Sequence, residues 1–129
     1  MTNLFIKQNF KMHSGGYSDF KLECDALTEK DYHTLAHLVS KQFSFQKVLG
    51  IPRGGIPFAS ILEQYEDKKS NNLLIVDDVL TTGASMILAK NKELQNFEEK
   101  NIKGIVIFAR GELPNWVSPI FALNSLFWH

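Results

Sequence analysis

Apolar residues in the first third of the chain repeat every three or four positions, which is typical of the buried face of a helix. These residues are Tyr32, Leu35, Ala36, Val39 and Phe43. Thr28 precedes them in the position of an N-cap, with Asp31 at the third helical position, as in a capping box. The pattern predicts a helix over residues 28–43.

Short, almost wholly apolar runs follow, and each is typical of a buried strand. They are residues 48–51, 73–76 and 104–109. Two more helices are predicted between them, one over 56–65 and one from Ser85 to about Lys100. The second helix is expected to turn four side chains inward, those of Ile87, Leu88, Leu94 and Phe97. Because strands and helices alternate between residues 28 and 109, the chain is predicted to form an α/β fold, a parallel sheet with helices on both faces.

The two ends of the chain have a different character. Residues 4–24 contain short runs of alternating polarity that predict strands around a turn at 13–18. Residues 113–129 are aromatic, with Trp116, Phe121, Phe127 and Trp128. Such a tail favours a core or dimer contact over a stacking platform for bases. We therefore expect one domain over 1–129, with an N-terminal segment (1–27), an α/β core (28–112) and an aromatic tail (113–129).

Composition and charge exclude several functional classes. The chain has 129 residues and a formal net charge of zero, which predicts a single domain without a broad basic surface for nucleic acid or acidic lipid. No stretch approaches the roughly 18 uninterrupted apolar residues of a membrane span. The single cysteine, Cys24, cannot form an internal disulfide, so a cytoplasmic location is expected.

The segment 73–85 combines a buried strand, two adjacent carboxylates and a turn that opens a helix. Asp77 and Asp78 follow the apolar run, and the turn consists of Thr81, Thr82, Gly83, Ala84 and Ser85. Unpaired amides and the helix dipole favour an anion at such a turn. The carboxylates would repel a phosphate and instead suit sugar hydroxyls or a bridging divalent cation. The alternative is an ordinary helix capped by Ser or Thr.

A second loop also follows a predicted strand and contains Arg53, Gly54 and Gly55. Of fourteen basic residues only Arg53 and Arg110 are arginine, and the planar arginine side chain suits bidentate binding of phosphate or carboxylate. Glycines let backbone amides approach an anion closely. The alternative for Arg53 is a plain strand-to-helix turn. The alternative for Arg110 is an ion pair with Glu112 or a cap on the sheet edge.

Over all thirteen of its positions, the segment 73–85 resembles the signature of the type I phosphoribosyltransferases that binds phosphoribosyl pyrophosphate (PRPP). The resemblance implies that Asp77 and Asp78 contact the ribose hydroxyls and that the residues 81–85 bind the 5′-phosphate. It also implies that Arg53, Gly54 and Gly55 form the pyrophosphate loop, and that residues 1–27 form a reduced version of the family's hood.

Weaker similarities point to the orotate enzymes of that family. The segment 12–20 looks like their N-terminal base-contacting segment, which implies base contacts by His13 and Ser14; a simple hairpin is the alternative. Those enzymes also have an arginine at the place of Arg110 that pairs with the substrate carboxylate, a geometry that suits a bidentate arginine.

The resemblance implies a Mg²⁺-dependent transfer of ribose 5-phosphate from PRPP to a nucleobase nitrogen, with orotate as the best substrate guess. Asp77, Asp78 and Arg53 are then the catalytic residues, Mg²⁺ is held mainly through ligand or water at the two acids, and the protein is a homodimer. One departure stands out: residues 66–72 are too few for both the strand and the lid loop that orotate enzymes have there. The alternative is therefore a PRPP- or nucleotide-binding regulator of weak activity, unless a partner subunit supplies the lid.

Overall fold

The computed structural model of the protein describes residues 27–80, 82–110 and 112–123. Its helices and strands are, in chain order, α1 (Glu29–Gln42), β1 (Lys47–Gly50), α2 (Ile56–Leu62), β2 (Leu73–Leu80), α3 (Ala84–Glu93), β3 (Ile102–Arg110) and β4 (Val117–Leu123). Single 3-10 turns lie at Glu63–Tyr65 and Glu99–Asn101. Within these ranges no helix has the length and apolar character needed to cross a membrane. The strands predicted over 4–24 lie outside the described residues.

The four strands form one parallel sheet in the order β1-β2-β3-β4. The register pairs Leu49 with Ile75 and Val76 with Ile105. All four carboxyl ends therefore meet at one edge of the sheet, where open α/β sheets bind ligands. The predicted α/β fold is confirmed.

The sheet carries a hydrophobic core on each face. Helices α1 and α2 cover one face, where Leu35, Phe58 and Phe108 are almost fully buried. Helix α3 covers the other face through Met86, which contacts the cluster around Ile75. Burying a side chain of this size contributes about 1.5–3 kcal/mol, so both faces stabilise the position of the sheet edge.

The predicted start of α1 is confirmed in detail. The Asp31 backbone amide donates to Thr28 Oγ1 (3.1 Å), and the Thr28 amide donates to Asp31 Oδ2 (2.9 Å). This reciprocal pair satisfies two amides that a helix start otherwise leaves without partners.

Three sequence-based expectations about these elements are wrong. Strand β2 continues through the acid pair to Leu80 instead of ending before it. Helix α3 ends at Glu93, and Ile87, Leu88 and Leu94 are 42%, 63% and 41% exposed instead of facing inward. Because the helix starts at Ala84, it is Met86 that points to the sheet. The apolar periodicity alone did not determine how α3 is rotated about its axis relative to the sheet.

The aromatic tail contains a strand that sequence analysis missed. Residues Val117–Leu123 run parallel to β3, and Phe121 pairs with Phe108 and stacks on its ring at 5.4 Å between centroids. Pro119 within this run concealed it, because proline is excluded from central strands and tolerated at a sheet edge. In the part of the sheet that the structure describes, β4 is such an edge strand.

The connector between α2 and β2 lies at the amino ends of the strands. Glu66 Oε2 accepts a hydrogen bond from the Val48 amide (2.9 Å), and the Asp67 amide donates to the Phe45 carbonyl (2.8 Å). Lys68 and Lys69 in this connector are exposed. They are therefore far from the carboxyl edge, where the candidate site lies.

Candidate functional site

A cavity of about 260 Å³ opens at the carboxyl edge of the sheet between the two loops that sequence analysis singled out. Its lining includes Arg53 and Gly54 from the first loop, the acids Asp77 and Asp78, and residues 82–85 from the second loop. The structure thus brings two separately predicted segments into one pocket. Each segment joins a parallel strand to the helix that follows it.

The loop after β1 is a tight turn fixed by backbone hydrogen bonds. The Ile51 amide donates to the Val76 carbonyl, and the Gly55 amide donates to the Ile51 carbonyl, both at 2.8 Å. The peptide bond between Pro52 and Arg53 is cis. This turn leaves Arg53 exposed at the rim of the cavity.

Gly54 has no room for a side chain, because a Cβ atom there would overlap the carboxylate of Asp78. Asp78 itself is 6% exposed, and its Oδ1 accepts a hydrogen bond from the Val79 amide at 2.7 Å. The glycine therefore allows the loop to rest directly on the acid. The two loops of the site are in contact at this point.

The second acid is held in a similar way. Asp77 Oδ1 accepts a hydrogen bond from the Asp78 amide at 2.8 Å, and the residue is half-buried. Both carboxylates are thus oriented by the backbone of their own strand. Oriented carboxylates in the lining of a cavity suit the recognition of hydroxyl donors or a hydrated cation.

The turn before α3 has the geometry of an anion site. Gly83 has a left-handed φ of 81°, which glycine adopts without strain, and its carbonyl accepts from the Ile87 amide at 2.9 Å. The Ala84 amide donates to Thr82 Oγ1 at 3.3 Å. Because the first amides of a helix have no partner within the helix, the start of α3 offers donors to a ligand beside Ser85.

The other predicted site residues fall into two groups. Gly55 is buried beneath its loop, where a Cβ would lie 2.8 Å from the Ile51 nitrogen, and it does not line the cavity. Arg110 is exposed at the carboxyl end of β3, outside the cavity lining. Thr81, His13 and Ser14 lie outside the described residues.

Sequence analysis missed several apolar residues that line the cavity. They are Ile51, Pro52, Val79, Leu80 and Met86. The pattern contained a signal for Val79 and Leu80, since an apolar pair directly after two acids can continue a buried strand. Met86 had no such signal, because its inward position depends on the residue at which α3 begins.

The charges of the lining restrict what the site can bind. Among the described lining residues Arg53 is the only cation, and Asp77 and Asp78 are the two acids. No group of three or more His, Cys, Asp or Glu side chains that could hold a metal ion occurs in the described part of the chain. Two adjacent carboxylates do fit Mg²⁺, which keeps several waters and commonly takes one or two protein carboxylates together with phosphate oxygens.

Comparison with known proteins identifies the fold. No family model and no curated protein sequence matches the chain. A hypothetical protein from Neisseria gonorrhoeae with bound ppGpp matches it with a TM-score of 0.57 at 13% identity, over 77% of this chain and 82% of that one. The purine phosphoribosyltransferase from Pyrococcus horikoshii Ot3 matches with a TM-score of 0.51 at 16% identity, over 76% of this chain and 90% of that one. The chain therefore has the fold of the type I phosphoribosyltransferases.

Proposed function

We propose that the protein binds PRPP together with Mg²⁺ and transfers its ribose 5-phosphate to a nucleobase nitrogen, releasing pyrophosphate. The observation that supports this most is the single cavity shared by the Arg53–Gly54 loop, the acid pair and the start of α3. PRPP carries a diphosphate, a sugar diol and a phosphate ester, and the three parts of the cavity suit these groups in turn.

Each part of the site has a role in this proposal. The amides and hydroxyls of residues 81–85 bind the 5′-phosphate. Asp77 and Asp78 accept hydrogen bonds from the ribose hydroxyls and hold Mg²⁺, mainly through ligand oxygens or water. Arg53 and the backbone of Gly54 bind the pyrophosphate, whereas Gly55 supports their loop from beneath, with its amide bonded to the Ile51 carbonyl. When bound, Mg²⁺ supplies charge neutralisation for the leaving group.

The reaction requires little covalent chemistry from the protein. The bond between C1′ and the pyrophosphate oxygen breaks, its electron pair leaves with the pyrophosphate, and C1′ gains oxocarbenium character. The base nitrogen supplies the electron pair for the new bond and loses its proton to solvent. Negative charge grows on the departing pyrophosphate, where the forked cation of Arg53 stabilises it. The acids fix the ribose so that C1′ faces the base.

For the base, we propose an acidic pyrimidine-like molecule such as orotate, contacted by Arg110, His13 and Ser14. Arg110 follows Ala109, which is the register partner of Leu80 at the cavity. The Arg110 side chain therefore starts one strand away from the site and at the same edge. Arg110→Ala should weaken the use of an acidic base and leave neutral bases unaffected. An equal loss for both would contradict carboxylate recognition.

A regulatory role is the second candidate. The Neisseria gonorrhoeae structure of this fold carries ppGpp, and ppGpp offers the phosphates and ribose to which this cavity is suited. In addition, the connector between α2 and β2 is bonded to the amino ends of the strands, away from the cavity. Because this connector does not cover the cavity, solvent reaches a bound ligand there. The site would therefore bind a phosphorylated nucleotide and turn it over slowly.

We also propose a cytoplasmic homodimer. The exposed side chains of Ile87 and Leu88 on α3 are apolar neighbours that would suit a contact with a second copy. Light scattering after gel filtration measures the mass directly. A monomer at micromolar concentration would contradict this part of the proposal.

Pyrophosphate release separates the two candidates. The protein is incubated with PRPP, Mg²⁺ and a panel of nucleobases, and PRPP and ppGpp are titrated in parallel by calorimetry. Release with one base supports the transferase. Binding of PRPP or ppGpp without release by any base supports the regulator, and binding of neither contradicts both.

A further inference from the structure

The short crossover between β3 and β4 passes beside the turn of residues 82–85 before α3, which we call the phosphate loop. Gly104 of β3 is the register partner of Val117, and Arg110 is that of Leu123. The chain therefore returns from the carboxyl edge along the α3 face of the sheet before β4 begins. Residues 112–116 make up the described part of this return, which we call the crossover.

Trp116 fixes the crossover to the sheet. The Gly104 amide donates to the Trp116 carbonyl at 2.9 Å. A Cβ atom on Gly104 would stand 2.9 Å from Trp116 Cζ3 and 2.8 Å from Met86 Cε. A side chain on Gly104 would force these neighbours to shift, so the indole ring and α3 pack closely against β3 at this glycine.

A lysine side chain of α3 also lies over the indole ring. Lys90 Nζ of α3 lies 4.9 Å from the centre of the Trp116 ring and 3.1 Å from Glu99 Oε2. The lysine side chain is 13% exposed, so this cation–π contact is partly shielded from water. The crossover is thereby tied to the same helix whose start forms the anion site.

Pro114 connects this anchor to the phosphate loop. Its Cγ and Cδ lie 3.5 and 3.8 Å from the position that a Cβ of Gly83 would take, and its carbonyl accepts from the Val117 amide at 3.0 Å. The proline ring thus lies on the side of Gly83 to which a side chain would project, and Gly83 is the one described residue with a left-handed φ. Pro114 does not line the cavity and is not placed to contact a ligand there.

We infer that Pro114, anchored through Trp116, is a positioning residue that holds Gly83 in its left-handed conformation and keeps the amides at the start of α3 directed into the cavity. The inference rests on the proposed function in so far as the ligand is a phosphate ester. A rigid ring against the turn reduces the number of conformations that the loop loses on binding, which raises affinity without a new contact.

The test compares Pro114→Ala with a matched destabilised control. Val39→Ala removes two methyl groups from the core on the opposite face of the sheet, where Val39 is 5% exposed. Binding of ribose 5-phosphate and of PRPP with Mg²⁺ is measured by calorimetry, well below the unfolding temperature of each variant. Ribose 5-phosphate is included because it reports on the phosphate loop without pyrophosphate.

We expect Pro114→Ala to weaken both ligands by the same factor, between about 3-fold and about 30-fold, the range of mutations that act on a site without touching its ligand. Val39→Ala should lower the unfolding temperature and leave both dissociation constants unchanged. Trp116→Phe should also weaken the binding of both ligands. It replaces Pro114→Ala in the test if Pro114→Ala does not fold.

Three results would overturn the inference. If the wild type binds and Pro114→Ala or its replacement binds equally well, the crossover does not position the loop, and the proposed function stands. If Val39→Ala loses as much affinity as Pro114→Ala, the effect is one of general stability. If the wild type binds neither ligand, the proposed function fails together with this inference.

Discussion

Gly54 rests on the carboxylate of Asp78, so closely that a single added carbon on the glycine would overlap the acid. This contact joins the loop after β1 to the end of β2. It fixes how closely this loop approaches the two acids that line the cavity. Substitution of either residue should therefore weaken ligand binding.

Gly54→Ala is expected to push the Asp78 carboxylate aside and to abolish PRPP binding at concentrations that saturate the wild type. Overpacking of this kind costs about 1–3 kcal/mol of folding free energy, so the protein remains folded if its stability is ordinary. Calorimetry and thermal unfolding measure the two effects. Ser60→Ala, on the exposed side of α2, is the control and should change neither. Full affinity in Gly54→Ala would show that the contact is not needed.

Asp77→Asn and Asp78→Asn are each expected to weaken PRPP binding by about 10- to 100-fold, since hydrogen bonds to a charged group contribute about 1.5–3 kcal/mol. The double variant should show no measurable binding. Circular dichroism should report an unchanged fold, because the amide keeps the shape of the acid. Glu63→Gln, at an exposed position of the 3-10 turn after α2, is the matched control. Unchanged affinity in the double variant would refute the assigned role.

Arg53→Ala should distinguish the two phosphate-binding parts of the cavity. PRPP binding is expected to fall by about 10- to 100-fold, whereas ribose 5-phosphate, which has no pyrophosphate, should bind as before. Arg53→Lys should restore part of the loss because it keeps the charge without the fork. Lys47→Ala removes a positive charge at the amino end of β1 and should leave both ligands unaffected. An equal loss of affinity for both ligands in Arg53→Ala would contradict the proposed contact between the arginine and the pyrophosphate.

Gly83→Ala tests the left-handed turn before α3. A residue with a Cβ atom is destabilised by about 1–2 kcal/mol in the left-handed region. The variant should therefore either unfold more readily or shift the turn and bind ribose 5-phosphate more weakly. Gly83→Asn should fall between the wild type and the alanine variant, because asparagine tolerates this conformation better. Chemical denaturation measures the stabilities of the three proteins, and calorimetry measures their affinities for ribose 5-phosphate. Equal behaviour of all three proteins would contradict the need for this backbone geometry.

Much of the α/β core could be predicted because its signals are local. The capping pair Thr28 and Asp31, the apolar run before Asp77 and the glycine pair after β1 each determine structure within a few residues. Both loops of the site follow predicted strands of a parallel sheet, and the structure brings them together in one cavity.

What could not be predicted depends on contacts between distant residues. Strand β4 forms because β3 offers it a partner, although Pro119 weakens its pattern. The crossover packs on Gly104, and nothing near Gly104 in sequence indicates that Trp116 and Met86 converge there. The rotation of α3, which exposes Ile87 and buries Met86, likewise follows from the place where Gly83 ends the turn.

The central claim is that the carboxyl edge of this sheet binds a ribose that carries both a phosphate and a pyrophosphate. Calorimetric titration of the full chain with PRPP in magnesium buffer tests it most directly. The account predicts saturable binding that the double substitution of Asp77 and Asp78 by asparagine removes. Absence of heat in the wild type, or equal binding by that double variant, would contradict it.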